Sequence, residues 1–425
     1  MIKVNKTTLS NGLRVLVSPT TATDSVTVMI LVRAGSRYET KSTNGIAHVL
    51  EHMFFKGGDK YPTPRSVAEA IESIGGSFNA FTGNEVVGYY VKVASHKVET
   101  AFDVLSDMLF HAQLSQDALD REKGVILEEL KMYLDDPRHL ASEAFSHQIF
   151  GDHPLGWDII GTPKNIKSFT SQDLRNYQSQ FYSSTNTVVA VAGNITTAKV
   201  KKLIAKYLPY QPSTELNQPL PHKATNTGSF KHVVKDTEQA HLLIGTKTFG
   251  GSHQDRYAAS LLGTILGGGM SSRLFTSIRE ELSLAYYVGA GHQTYTDTGY
   301  FVIQAGVDKT RVDLAIHQIM KELREIAANG VSIIELKKAQ EQRIGNLTLS
   351  LEVSDEIAYY LGLKWLLYGE VTTPDTVKRQ LKAVKPQDIQ RLAKKFFTAS
   401  PLTLTVVGPK TISGKIKESY KELTN

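Results

Sequence analysis

Two stretches of this chain are written twice, and a duplicated chain can adopt few folds. Gly88–Val93 (GYYVKV), followed by a helical pattern through Met108, returns as Gly299–Gln304 (GYFVIQ) at an offset of 211 residues. Val188–Gly193 (VVAVAG) and the helix running to Leu208 return as Leu402–Gly408 (LTLTVVG) and a terminal helix, at an offset of 215. Each copy mixes alternating or apolar strands (Ser25–Val32, Val86–Val93 and Val188–Val191 in the first) with helical segments. That mixture predicts an α+β fold of two homologous domains, each a mostly antiparallel sheet packed with helices. The expected division is 1–208, a Pro- and Asn-containing polar linker 209–228, and 229–425.

At 425 residues, two domains is the natural count, and 41 % apolar residues suffice for two cores. The net charge of +6 is dispersed, with no Lys/Arg run interleaved with aromatics, so no nucleic-acid partner is expected. The N-terminal segment alternates like a strand, and no run of 18 apolar residues occurs, so a soluble cytoplasmic protein with no membrane partner is expected. Cysteine is absent. Any metal must therefore be held by histidines and carboxylates.

Ile46–Phe55 (IAHVLEHMFF) carries the chemistry. On a helix, His48 and His52, four apart, share a face and can grip one ion. Glu51, three after His48, shares that face and can take a proton from water at the metal. The motif arises by chance in about one chain in fifty of this composition, so it does not stand alone. Asp117–Asp136 reads as a helix ended by Pro137, on which Glu122 and Glu129 lie two turns apart on one face. Glu128 points about 100° away from Glu129. Helical acids are commonly solvated, and helical geometry alone leaves the third ligand open.

His48-x-x-Glu51-His52, then 76 residues, then Glu129, resembles the inverted zinc motif of the pitrilysin/insulinase metallopeptidases, whose small bacterial members are similar to the mitochondrial processing peptidase. Glu122–Glu129 (EKGVILEE) is similar to the family stretch in which the last Glu binds zinc and the first supports the site. Gly75–Thr82 (GGSFNAFT) and Val189–Asn194 (VAVAGN) extend the likeness along the chain. The resemblance implies a half-clamshell of two similar α+β domains. It also implies one Zn2+ per chain on His48, His52 and Glu129, with Glu51 as general base and Glu122 in support. The segment containing Asn79 and Ala80 is similar to the family's substrate-holding edge strand.

In the second copy, His48, Glu51 and His52 fall on Ser260, Gly263 and Thr264, so the metal chemistry is gone. Gly268–Tyr286 is similar to the family's substrate-binding segment, which implies Arg279 on a substrate carbonyl and Tyr286 on a developing oxyanion. In long relatives a zinc domain faces an Arg/Tyr domain from the opposite half. A chain of this length is therefore expected to dimerise, as a homodimer or as a heterodimer with a zinc-less paralogue. The implied activity is endopeptidase cleavage of short or unfolded peptides. A peptidase dedicated to one precursor and a non-catalytic structural subunit are the other readings.

Overall fold

The computed structural model describes residues 2–213, 216–222 and 228–424. The expected linker 209–228 lies partly outside them, and its described part is neither helix nor strand.

The duplication is explicit in the sheets. The first contains β1 (Asn5–Thr8), β2 (Arg14–Pro19), β3 (Ser25–Val32), β4 (Ser77–Thr82), β5 (Val87–Ala94) and β6 (Thr187–Gly193), in the spatial order β1-β2-β6-β3-β5-β4. The second contains β7 (Phe230–Val234), β8 (Gln239–Phe249), β9 (Ala285–Thr294), β10 (Thr298–Asp308) and β11 (Thr403–Gly408), in the order β7-β11-β8-β10-β9. Set β1 aside and the two orders coincide strand for strand. Even the single parallel pair recurs, β2 with β6 and β7 with β11, while every other pairing is antiparallel. The fold is α+β, with two such sheets.

The compact units do not follow the contiguous division at 208 and 229. One comprises 1–130, 157–220 and 348–375; the other comprises 131–156, 221–347 and 376–425. The reason is a reciprocal exchange of one helix. In the first unit, the Ser354–Tyr368 helix, from the second half of the chain, lies on β3 and β6. It buries Ile357, Leu361, Trp365 and Leu366 against Leu16, Met29, Leu31 and Val188. At Gly362 a Cβ would stand 2.8 Å from Leu31 Cδ1 and 2.9 Å from the Ala190 Cβ, so the absent side chain sets how closely the helix approaches. In the second unit, the Pro137–Phe150 helix, from the first half, packs on β8 and β11 through Ala141, Phe145 and Ile149. Each large apolar side chain so buried contributes about 1.5–3 kcal/mol. Truncating Leu361 to Ala would cost about 2–5 kcal/mol.

Pro137 does more than end the preceding helix. That helix runs Gln116–Asp135, Asp136 accepts from Arg138 N–H as an N-cap, and Pro137 opens the next helix at its first position.

Candidate metal centre

The helix α1 (Ile46–Phe54) carries two interleaved stripes. Ile46, Val49, Leu50 and Met53 recur at i, i+3, i+4 and i+7 and are buried. His48, Glu51 and His52 follow the same spacing on the opposite stripe. The apolar stripe fixes the helix, and its fixing aims the other three.

They meet the Gln116–Asp135 helix. Glu129 Oε2 lies 3.4 Å from His52 Nε2 and 3.8 Å from His48 Nε2. One ligand atom from each of these residues lies within 4.8 Å of the others. On the far side of the His52 ring, Nδ1 is 2.8 Å from Glu122 Oε1. With Nδ1–H donated there, the neutral ring would turn its Nε2 lone pair towards Glu129 and His48, the arrangement of a metal-ligating histidine braced by a carboxylate. Two imidazole nitrogens and one carboxylate oxygen are a donor set that suits zinc. His48 Nδ1 is buried without a hydrogen-bond partner. Glu128, one residue from Glu129, is exposed.

The electrostatics follow from burial and neighbours. Burial and the His52 charge pull His48 down to about 4 against the opposing charges of Glu129 and Asp158. Burial works against a charged His52, but Glu122 and Glu129 more than offset it and lift the ring to about 9. Glu51 is held above the ordinary carboxylate value, chiefly by burial, although Thr82 donates its hydroxyl to Glu51 Oε2. Burial also opposes charge on Glu122, yet its bonds from His52 and Lys56 hold it below the usual range.

Two contacts here were not read from the sequence. Lys56 Nζ lies 2.6 Å from Glu122 Oε2 and neutralises a carboxylate already bound to His52. Its signal was present, since Lys56 follows His52 by four residues, one helical turn on. Thr82 ends β4, and its bond to Glu51 is a pairing between distant segments that no local pattern announces. Among the described residues β4 is an edge strand paired only to β5, with Asn79 exposed and Ala80 half-buried.

In the second unit, Arg279 sits in a π-helical segment, Phe275–Glu281, with its guanidinium stacked 4.8 Å from the Phe275 ring centre and 5.6 Å from that of Tyr286. The expected pair is thus side by side. Tyr286 is the extra residue of a β-bulge, because Tyr287 pairs with Gly306 and Ala285 with Val307. The bulge re-aims Tyr286, leaving it 67 % exposed. Tyr287 is held by His241 Nδ1 at 3.0 Å from its hydroxyl and by the Arg138 guanidinium over its ring. Between Arg279 and the bulge, Ser283 takes a left-handed φ of 48°. Such backbone strain gathers at functional segments.

Ser260, Gly263 and Thr264 lie on the Arg256–Gly267 helix and offer no imidazole or carboxylate. A Cβ at Gly263 would stand 3.2 Å from Gly291 Cα, and one at Gly267 would stand 2.1 Å from Ala290 N. This helix lies close upon β9, a strand in the same place in its sheet as β4 in the first.

Among the described residues no helix is long and apolar enough to cross a membrane. The profile described as Insulinase (Peptidase family M16) matches residues 14–163, and that of the Peptidase M16 inactive domain matches 168–343. A Bacillus subtilis protein named an uncharacterized zinc protease, YmxG, is 36 % identical over 409 residues, covering 96 % of this chain and 98 % of that protein. A zinc protease of Streptomyces coelicolor, likewise named as uncharacterized, is 34 % identical, covering 96 % and 90 %. The crystal structure of a protease from Helicobacter pylori shares the fold, with a TM-score of 0.89 at 23 % identity, covering 96 % of this chain and all of that one. The chain belongs to peptidase family M16, the insulinase family.

Proposed function

We propose that this chain is a zinc-dependent endopeptidase acting on short or unfolded peptides. The observation that carries the reading is the convergence of His48, His52 and Glu129 ligand atoms on one point, with Glu51 on the same face of α1. The relatives named zinc proteases support it. Zinc held there would polarise the scissile carbonyl and acidify a water in the site.

The protein's own groups do the rest. Glu51 accepts the proton of the attacking water and hands it to the departing amine. Its raised proton affinity suits both halves of that exchange, and Thr82 holds one of its oxygens in place. Glu122 and Lys56 hold the His52 ring in the tautomer that leaves Nε2 free. The free edge of β4 can take an extended peptide as an added strand, which reads backbone conformation more than sequence. Arg279 and Tyr286 supply donors for a substrate carbonyl and its developing negative charge. They act on the zinc site of a second copy in a homodimer.

Metal analysis combined with digestion of an unstructured peptide library tests the function. The expected result is zinc near one per chain, with internal cleavage abolished by chelation and restored by zinc. Cleavage unaffected by complete removal of metal would overturn it.

A further inference from the structure

α1 begins in an unusual way. Helix N-termini carry unsatisfied N–H groups, ordinarily met by a Ser, Thr, Asp or Asn at the N-cap. Here the N-cap is Gly45, with φ 100°, and no side chain fits. A Cβ at that position would stand 2.6 Å from Ile160 O and 2.9 Å from Gly161 Cα. The acceptor comes from elsewhere. Glu39 Oε2 accepts from Gly45 N–H at 2.9 Å and from Asn44 Nδ2 at 3.1 Å, and Glu39 Oε1 accepts from Ala47 N–H at 2.9 Å. Asn44 is tied in turn to Asp158 O, and Asn165 donates to Asn44 O.

Glu39 is 4 % exposed, and burial pushes its carboxyl up to about 7. Among the described residues no cation pairs with it. A buried carboxylate without a cation is costly, and all three of its hydrogen bonds run to the start of α1. Ala47, the last of these partners, immediately precedes His48.

We propose that Glu39 is a positioning residue of the metal centre: as the remote cap of α1, it sets the placement of His48, Glu51 and His52. The inference rests on the zinc-peptidase reading and deepens it. Gln at this position keeps the size but turns an NH2 towards a backbone donor, so one N–H of the first turn loses its acceptor. Asp keeps the charge but draws it back by one methylene.

The test compares wild type with Glu39→Gln and Glu39→Asp. Zinc affinity is read by chelator competition, kcat and KM on a peptide substrate, and folding by circular dichroism and Tm. Supporting groups around metal ligands typically matter about 10–100-fold in affinity or activity. Glu39→Gln is expected to weaken zinc binding and lower kcat, each by about tenfold or more, with KM within about twofold; Glu39→Asp is expected to fall between. A lowered Tm with zinc affinity and kcat per folded molecule unchanged in both variants would mean that Glu39 only stabilises the fold, and the proposal would be overturned. If wild type binds zinc but cleaves no peptide, the peptidase reading fails, while the affinity comparison still decides the role of Glu39.

Discussion

His52 and Glu122 meet through Nδ1 and Oε1 at 2.8 Å, and Lys56 closes on the other oxygen of the same carboxylate at 2.6 Å. On the zinc-peptidase reading proposed above, Glu122 supports the metal centre through the His52 ring and is not one of the three ligands. Glu122→Gln is expected to weaken zinc binding about 10–100-fold, with activity returning at high zinc. Lys56→Met, which removes only the second contact, is expected to cost less. Chelator competition measures both, and an unchanged affinity in Glu122→Gln would detach Glu122 from the site.

The choice between adjacent carboxylates is equally open to test. Glu129 faces both imidazoles, whereas Glu128 is exposed. Glu129→Gln is expected to empty most of the zinc from purified protein, and Glu128→Gln to leave it near one per chain. Equal loss in the two, by elemental analysis, would contradict the assignment.

A third expectation concerns protons. In protein stripped of metal, the His52 ring is lifted from 6.5 to about 9. For a raised histidine, the stabilisation due to its charge is full below about pH 6.5 and is lost as pH rises through about 9. Zinc needs the neutral Nε2, so binding at pH 7.5 must displace that proton. His48, pulled down to about 4, has none to release there. Calorimetry in buffers of different ionisation enthalpy is expected to show about one proton released per zinc, with apparent affinity rising with pH until about 9. Zero release at pH 7.5 would contradict a charged His52.

These residues differ in how plainly the sequence announces them. His48, Glu51 and His52 obey helical spacing, which is local, so they could be read directly, whereas the same spacing put Glu122 and Glu129 on one face and only the family resemblance gave them roles. The sheets were foreshadowed by the repeat, because a strand and its following helix survive duplication as a unit. The helix exchange was not legible. Ser354–Tyr368 is apolar on nearly all sides, with buried residues such as Ile357, Ala358, Leu361 and Trp365, and nothing local says which sheet it covers. The bulge at Tyr286 was hidden for a related reason, since strand alternation gives no sign of an inserted residue. Glu39 escaped notice because its partners are backbone N–H groups, which leave no mark in side-chain patterns.

How subunits cooperate is tested by mixing two inactive variants, Glu51→Gln and Tyr286→Phe, after dissociation and reassociation. If sites form across a homodimer interface, one of the two sites in each mixed dimer has both residues intact. Random pairing makes half of the dimers mixed, so activity is expected to recover to about a quarter of wild type. No recovery, with subunit exchange verified by mass, would contradict the shared site and favour completion within one chain or by a different partner.

The role of Glu51 is the centre of the account, and one variant separates its chemistry from metal binding. Glu51→Gln preserves the shape of the side chain and its acceptor for Thr82, but the amide cannot take a proton from water. The measurement is zinc content and peptide hydrolysis on the same preparation. Zinc near one per chain is expected, with kcat lowered by about 10²–10⁴-fold. Hydrolysis within a fewfold of wild type, in a variant that retains its zinc, would contradict it.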